Sequence, residues 1–221
     1  MLSKWVSLET AMQHVRDGSE ILYGGFGGVG SPLLLIDFLL QKGVQDLTLI
    51  GNDAGFPDWG IGRLINSGSV KKLVTTHMGS NPEAGRRMMA GQLDVTFYPQ
   101  GILAEKIRSG GVGLAGILVE EYRPRETEGD SMVIQAGERR YLVEPAITAQ
   151  IGIVYARRAD TYGNLQYEKS ARNLNPLVAM AADMTIVEAE EIVPVGELDP
   201  EHIATPGVFV DYVVKSAGGE G

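Results

Sequence analysis

The chain has 221 residues, 44% of them hydrophobic and 21% charged, with a formal net charge of −9 at pH 7. This composition excludes a disordered chain, and the acidic balance argues against nucleic-acid binding, which needs clustered Lys and Arg. The sequence contains no cysteine, so disulfides, thiolate nucleophiles and cysteine metal sites are excluded.

The N-terminal residues lack a long apolar stretch, so we expect no signal peptide. No apolar run approaches the ~20 residues needed to cross a bilayer. The three histidines are too far apart in the sequence to show metal-ligand spacing. We therefore expect a cytoplasmic protein with no metal site and no membrane association.

Short apolar strands alternate with helical segments along the chain, which is typical of an α/β fold with a mainly parallel central sheet and helices on both faces. We predict one domain over residues 1–221, with a polar, turn-rich excursion around 119–140. The predicted elements, in chain order, are helix 7–15, strand 20–23, helix 33–41, strands 47–50 and 70–76, helix 82–90, strand 93–98, helix 101–109, strand 151–155, helix 174–182 and strand 184–187.

Ligands of parallel sheets bind at the carboxyl ends of the strands. We therefore expect the loops that follow the first four predicted strands to share one edge of the sheet. These loops are 24–31, 51–55, 77–81 and 99–101.

The first of these loops is dense in glycine, which lets the backbone adopt positive φ and bring its N–H groups close to a ligand. Pro32 then opens a helix, whose N-terminus adds N–H donors and a partial positive charge. We predict a phosphate or carboxylate site here, with an ordinary tight turn as the alternative. Part of the loop also fits the dinucleotide pattern G-x-G-x-x-G, a weak match by itself. The loop residues are Gly24, Gly25, Phe26, Gly27, Gly28, Val29 and Gly30.

Two amide side chains, Asn52 and Gln100, follow predicted strands. Each carries a donor and an acceptor and is able to bind a carboxylate or a thioester carbonyl, although an ordinary turn or helix start would use the same residues. The acidic run 188–191 and Glu168 offer a general base or a carboxylate nucleophile, but such runs are usually solvated.

Four separated segments carry longer motifs. They are D-G-x-x-I-L-Y-G-G-F-x-x-x-G-x-P at 17–32, P-Q-G-x-L-A-E-K-I-R-x-G-G at 99–111, D-x-x-G-N-L-x-Y followed by A-R-N-L-N-P at 160–176, and V-E-A-E-E-I-V with G-E-L-D-P and T-P-G at 187–207. In this order they resemble the A (alpha) subunit of family I coenzyme A transferases, of the 3-oxoacid and acetate/butyrate–acetoacetate type.

The resemblance implies a Rossmann-like CoA-transferase fold and an enzyme that moves coenzyme A from an acyl-CoA to a short-chain carboxylic or 3-oxo acid. In that family a glutamate of a beta subunit, within an S-E-N-G signature, attacks the thioester. The present chain contains no such signature. We therefore expect no catalytic residue in it, an αβ or α2β2 assembly with a beta subunit, and coenzyme A as a substrate without any permanently bound cofactor.

The resemblance also implies that Gly24 to Gly30 form the loop that closes over coenzyme A, with mobile N–H donors, and that Asn52 and Gln100 line the acyl or carboxylate pocket. The chain departs from the family pattern at Ile102 and after Gly111, in a segment that helps to shape this pocket. Two hypotheses from other classes are a dinucleotide-binding regulatory module and a self-contained, glutamate-dependent acyl-CoA hydrolase.

Overall fold

The structure, a computed structural model, describes residues 3–120 and 132–217. Its strands are β1 (Glu20–Tyr23), β2 (Leu47–Ile50), β3 (Val70–Thr75), β4 (Asp94–Phe97), β5 (Gly116–Glu120), β6 (Val133–Ala136), β7 (Arg139–Pro145), β8 (Ala149–Asp160), β9 (Leu165–Gln166), β10 (Ala182–Val193) and β11 (Tyr212–Lys215). Its α-helices are α1 (Leu8–Met12), α2 (Leu33–Lys42), α3 (Gly62–Ser67), α4 (Pro82–Met89), α5 (Gln100–Gly111) and α6 (Asn175–Ala181).

An eight-stranded sheet runs through the centre of the described structure, in the order β11-β10-β8-β1-β2-β3-β4. Neighbouring strands in this series are parallel, and β9 pairs antiparallel with β8. The predicted α/β fold with a mainly parallel sheet is therefore confirmed. The six predicted strands correspond to β1 to β4, β8 and β10.

Two of these strands, β8 and β10, are longer than the sequence predicts. They pair from Ala149 opposite Ala182 to Asp160 opposite Val193, and their later halves are rich in charged residues. Arg158 lies directly opposite Glu191, and the guanidinium and carboxylate are 2.9 Å apart. Cross-strand ion pairs of this kind keep a polar segment in the sheet, which an apolar pattern alone does not reveal.

The helices cover both faces of the sheet. On one face, α1 to α4 contribute buried side chains to a core that includes Leu35 and Leu64. On the other face, α5 and α6 contribute a second core that includes Leu103 and Val178. Burying each such side chain stabilises the fold by about 1.5–3 kcal/mol. None of the helices in the described part of the chain has the length and apolar character needed to cross a bilayer.

A three-stranded antiparallel sheet, in the order β5-β7-β6, lies outside the main sheet. It includes the described part of the predicted excursion, whose residues 121–131 lie outside the described ranges. A buried ion pair joins it to α5, because the Lys106 ammonium is 2.7 Å from the Glu144 carboxylate and both side chains are almost fully buried. The Lys106 ammonium also lies 4.6 Å from the centre of the Tyr98 ring. This pair holds α5, and with it Gln100, against the small sheet.

Candidate active site

The glycine loop between β1 and α2 is a tight hairpin. Phe26 and Val29 exchange two backbone hydrogen bonds of 3.0 Å, with Gly27 and Gly28 between them. Those two glycines have φ of +55° and +89°. A type I′ turn requires positive φ at both central positions, a backbone conformation that residues with a Cβ adopt poorly. The local sequence therefore determines the shape of this loop.

Most of the N–H groups in this loop are already bonded. The Gly24 N–H donates to the Ile153 carbonyl at 3.0 Å, the Gly25 N–H to Asn173 Oδ1 at 3.1 Å, and the Gly27 N–H to Asp53 Oδ2 at 2.8 Å. Among the described residues, no acceptor bonds the N–H groups of Gly28 and Gly30. The donors available to a ligand are thus fewer than the seven that the sequence offers.

Two asparagines at the start of α6 and just before it hold the loop. Asn173 Nδ2 donates to the Val29 carbonyl at 2.9 Å, and Asn175 Nδ2 donates to the Gly30 carbonyl at 3.0 Å. A Cβ on Gly24 would lie only 1.7 Å from Asn175 Oδ1, so this position has room for glycine alone. Sequence reasoning missed both asparagines as loop contacts, although their A-R-N-L-N-P segment was recognised as a motif.

The structure brings Asn52 and Gln100 together at the carboxyl edge of the sheet. Gln100 Nε2 donates to Asn52 Oδ1 at 2.8 Å, and Asn52 Nδ2 donates to Asp53 Oδ2 at 2.9 Å. Asn52 is fully buried, whereas Gln100, the first residue of α5, is exposed. Because the same Asp53 oxygen also accepts from the Gly27 N–H, the amide pair and the glycine loop form one hydrogen-bonded unit.

A second loop, residues 55–60, repeats the G-F-x-x-x-G pattern of the glycine loop and packs against it. Phe56 and Trp59 pair as Phe26 and Val29 do. The two loops touch at Gly28, where an added Cβ would lie 2.6 Å from the Trp59 ring. Sequence reasoning missed this contact, because the two segments are far apart in the chain.

The N-terminus of α2 does not offer the anion site predicted from the sequence. Glu188 on β10 accepts hydrogen bonds from the Leu34 N–H at 2.8 Å and the Leu35 N–H at 3.4 Å, and its other oxygen accepts from the Ser216 hydroxyl. An internal carboxylate therefore occupies the position that a phosphate would take. This part of the prediction is wrong, and it also removes the pyrophosphate position that the dinucleotide hypothesis requires.

The other carboxylates of the acidic run are paired as well. Glu190 contacts the Tyr155 hydroxyl and the Arg157 guanidinium, and Glu191 pairs with Arg158. The described residues contain no group of three or more His, Cys, Asp or Glu side chains arranged to hold a metal ion.

Glu188 yields a prediction about pH. Burial raises the pKa of this carboxyl above its usual value, against the lowering effect of its hydrogen bonds to Ser216, Leu34 and Leu35. At pH values between the carboxyl pKa of the unfolded chain and its higher pKa in the folded chain, the carboxyl is protonated in the folded state and ionised in the unfolded state. The free energy of unfolding therefore falls as the pH rises through that interval. We expect Glu188→Gln to remove that slope, measured as urea unfolding free energy from pH 4.5 to 7. An unchanged slope in the variant would contradict the assignment.

Comparison with known proteins gives the family. The family model described as coenzyme A transferase matches residues 6–216. The chain belongs to the coenzyme A transferase family. A relative from Bacillus subtilis, named as a probable coenzyme A transferase subunit alpha, is 55% identical over 217 residues, which cover 97% of this chain and 94% of the relative. An acetate CoA-transferase subunit alpha from Escherichia coli is 46% identical over 216 residues, with 98% of each chain covered.

Solved structures share the fold. An acyl-CoA transferase apoenzyme from Escherichia coli O157:H7 superimposes with a TM-score of 0.84 at 21% identity. The match covers 97% of the present chain and 47% of the solved one, so this transferase-family chain spans about half the length of that protein. At this identity the likeness shows the fold alone.

Proposed function

We propose that the chain is the alpha subunit of a coenzyme A transferase that acts on short-chain carboxylic or 3-oxo acids. The observation that carries the proposal is the hydrogen-bonded unit in which Gln100, Asn52 and the glycine loop meet at one edge of the sheet. Of the relatives described above, the one at 55% identity is named as a probable coenzyme A transferase subunit alpha, and the one at 46% as an acetate CoA-transferase subunit alpha. The nucleophilic glutamate, on this proposal, belongs to a beta subunit.

The proposed reaction transfers coenzyme A through covalent intermediates on that glutamate. Its carboxylate attacks the acyl-CoA thioester and releases the CoA thiolate, which leaves an acyl-glutamyl anhydride. The thiolate then attacks the glutamyl carbonyl, releases the first acid and forms a glutamyl-CoA thioester. The second acid reverses these two steps.

Each attack places negative charge on a carbonyl oxygen. We assign the stabilisation of this charge to the N–H groups of Gly28 and Gly30, because the other N–H groups of the loop that were described above are already bonded. Fixed N–H donors aimed at such an oxygen lower the barrier without any rearrangement during the reaction. Coenzyme A is on this view a substrate, and no cofactor remains bound between turnovers.

We assign Gln100, supported by Asn52, to binding the carboxylate of the acid or the thioester carbonyl. A neutral amide suits this task because a full positive charge would hold a carboxylate too strongly in its ground state. A groove of about 580 Å³ begins at Gly101, the residue after Gln100, and is lined by Gly101, Ile102, Glu105 and residues 117–119 of β5. We assign the acyl chain to this groove.

The test is reconstitution. We expect the purified chain to transfer coenzyme A between acetyl-CoA or acetoacetyl-CoA and a short-chain acid only after a beta subunit carrying the S-E-N-G signature is added. Borohydride trapping of the glutamyl-CoA thioester should label the beta subunit. Full transfer by the isolated chain, or a trapped glutamate within its 221 residues, would contradict the proposal.

The same assay separates the two other hypotheses. Thioester hydrolysis by the isolated chain would favour a self-contained hydrolase. Saturable binding of a dinucleotide, without any transfer activity in the complex, would favour a regulatory module. A panel of acyl-CoAs and acids of increasing chain length then defines the acyl specificity of the active complex.

A further inference from the structure

Asp53 is a buried carboxylate at the centre of the candidate site, and the roles assigned above do not use it. Its side chain is 3% exposed. Its Oδ2 accepts from the Gly27 N–H at 2.8 Å and from Asn52 Nδ2 at 2.9 Å, and its Oδ1 accepts from the Gly55 N–H at 2.9 Å. A single carboxylate thus joins the glycine loop, the second loop and the amide pair.

The backbone around this carboxylate is fixed independently. The Tyr23 hydroxyl donates to the Asp53 carbonyl at 2.6 Å from inside β1. Burial raises the pKa of that phenol well above its usual value, and the charge of Asp53 raises it further, so the phenol remains a donor. The Asn52 carbonyl accepts from the hydroxyls of Thr75 and Thr76. What remains adjustable here is the orientation of the side-chain amides.

An ionised carboxylate accepts hydrogen bonds and donates none. Asp53 therefore fixes the orientation of the Asn52 amide, which in turn fixes the orientation of the Gln100 amide. The NH2 group of Asn52 must face Asp53, because the reverse orientation would put two oxygens in contact. Asn52 Oδ1 then faces Gln100 and accepts from its NH2 group. Gln100 is left with its second N–H and its Oε1 for a ligand.

The same carboxylate fixes the tip of the glycine loop. Gly27 precedes Gly28, whose N–H is one of the two donors without a partner among the described residues. The bond from the Gly27 N–H to Asp53 fixes the peptide plane between Phe26 and Gly27, and the Phe26–Val29 hydrogen bonds close the turn, so Asp53 anchors the tip from which the Gly28 N–H projects. The orientation of the free donor and the orientation of Gln100 therefore depend on one side chain.

We propose that Asp53 is a positioning residue for coenzyme A transfer: it orients the Gln100 amide through Asn52 and the Gly28 N–H through Gly27. The inference rests on the proposed function, since it assigns to Asp53 the alignment of the two groups that would contact the substrate. Asp53 itself takes no part in bond making or breaking.

The test compares Asp53→Ala with Asp58→Ala in the reconstituted complex. Alanine at position 53 removes both acceptor oxygens, so the Gly27 N–H loses its partner and the Asn52 amide is no longer held in one orientation. We expect kcat to fall about 10- to 100-fold, because small misplacements of aligned groups have effects of this size, and the KM for the free acid to rise about tenfold. Asp58 is exposed and makes no side-chain hydrogen bond to a described residue, so its variant removes the same charge and should stay within about twofold of wild type.

A double-mutant cycle distinguishes positioning from general destabilisation. If Asp53 acts through Gln100, Asp53→Ala should raise the KM for the acid much less in a Gln100→Ala background than in wild type. Fully additive effects would overturn the proposal, as would wild-type kinetics in Asp53→Ala. If Asp53→Ala does not fold, Asn52→Ala enters the same cycle, because it breaks the series one residue later and leaves the bonds from Gly27 and Gly55 to Asp53 intact.

Hydrogen exchange on the isolated chain separates this inference from the proposed function. We expect the peptide that contains Gly24 to Gly30 to exchange faster in Asp53→Ala than in wild type or Asp58→Ala, because alanine removes the acceptor of the Gly27 N–H. An inactive wild-type complex would refute the proposed function. The exchange measurement would still test whether Asp53 holds the glycine loop. Unchanged exchange together with unchanged kinetics in an active complex would refute the inference alone.

Discussion

Gly28→Val should lower kcat by about 100-fold or more while leaving the fold and the association with a beta subunit largely intact. Gly28 has a φ of +89°, which a β-branched residue resists, and its added Cβ would lie 2.6 Å from the Trp59 ring. The loop must therefore shift, and the Gly28 N–H moves away from the position proposed for the developing oxyanion, where one lost donor costs about 10²- to 10³-fold. The measurement is kcat of the reconstituted complex, with thermal unfolding and gel filtration alongside.

Gly18→Val is the matched control for this variant. Gly18 also has a positive φ, of +74°, but an added Cβ there meets nothing within 4 Å, and the residue lies before β1, away from the candidate site. It should share the backbone strain without the loss of kcat. Equal kcat values for the two variants would remove the glycine loop from the mechanism.

Glu144→Gln should destabilise the chain by about 3–5 kcal/mol, because it leaves the buried Lys106 ammonium without its carboxylate. Replacing both members, as in Lys106→Met with Glu144→Leu, should cost much less, since no charge then remains buried. Urea unfolding of the two variants measures the difference. The single variant should also weaken binding of the acid, because the pair holds α5, whose first residue is Gln100.

The neighbouring Arg108–Glu105 pair on the same helix is the control. Its side chains are 42% and 50% exposed, so Arg108→Ala should cost no more than about 1 kcal/mol. A loss of similar size for Glu144→Gln and Arg108→Ala would show that the Lys106–Glu144 pair has no special role in stability.

The sequence predicts those parts of the site that local patterns determine. Glycines at positive φ determine the hairpin of the glycine loop, and strand ends determine the positions of Asn52 and Gln100. Because β1, β2, β3 and β4 are parallel neighbours, their following loops share one edge, as the alternating pattern indicates. That these residues bind substrate remains a prediction.

The parts that the sequence did not reveal depend on contacts between distant segments. Nothing near Asp53 indicates that its carboxylate bonds to Gly27, 26 residues earlier. The predicted anion site at α2 is wrong because Glu188 reaches its N-terminus from 154 residues away. The small sheet was missed in part because its strands flank a polar, turn-rich segment and pair antiparallel, outside the alternation of strands and helices that predicts a parallel sheet.

The carboxylate of Glu188 also affects where small inorganic anions can bind to the chain. Inorganic phosphate and sulfate from the surrounding solution bind well to an open helix terminus, but here the first turn of α2 already holds a charge from the same chain. Such ions would have to displace the Glu188 carboxylate, which belongs to the same chain and therefore cannot diffuse away.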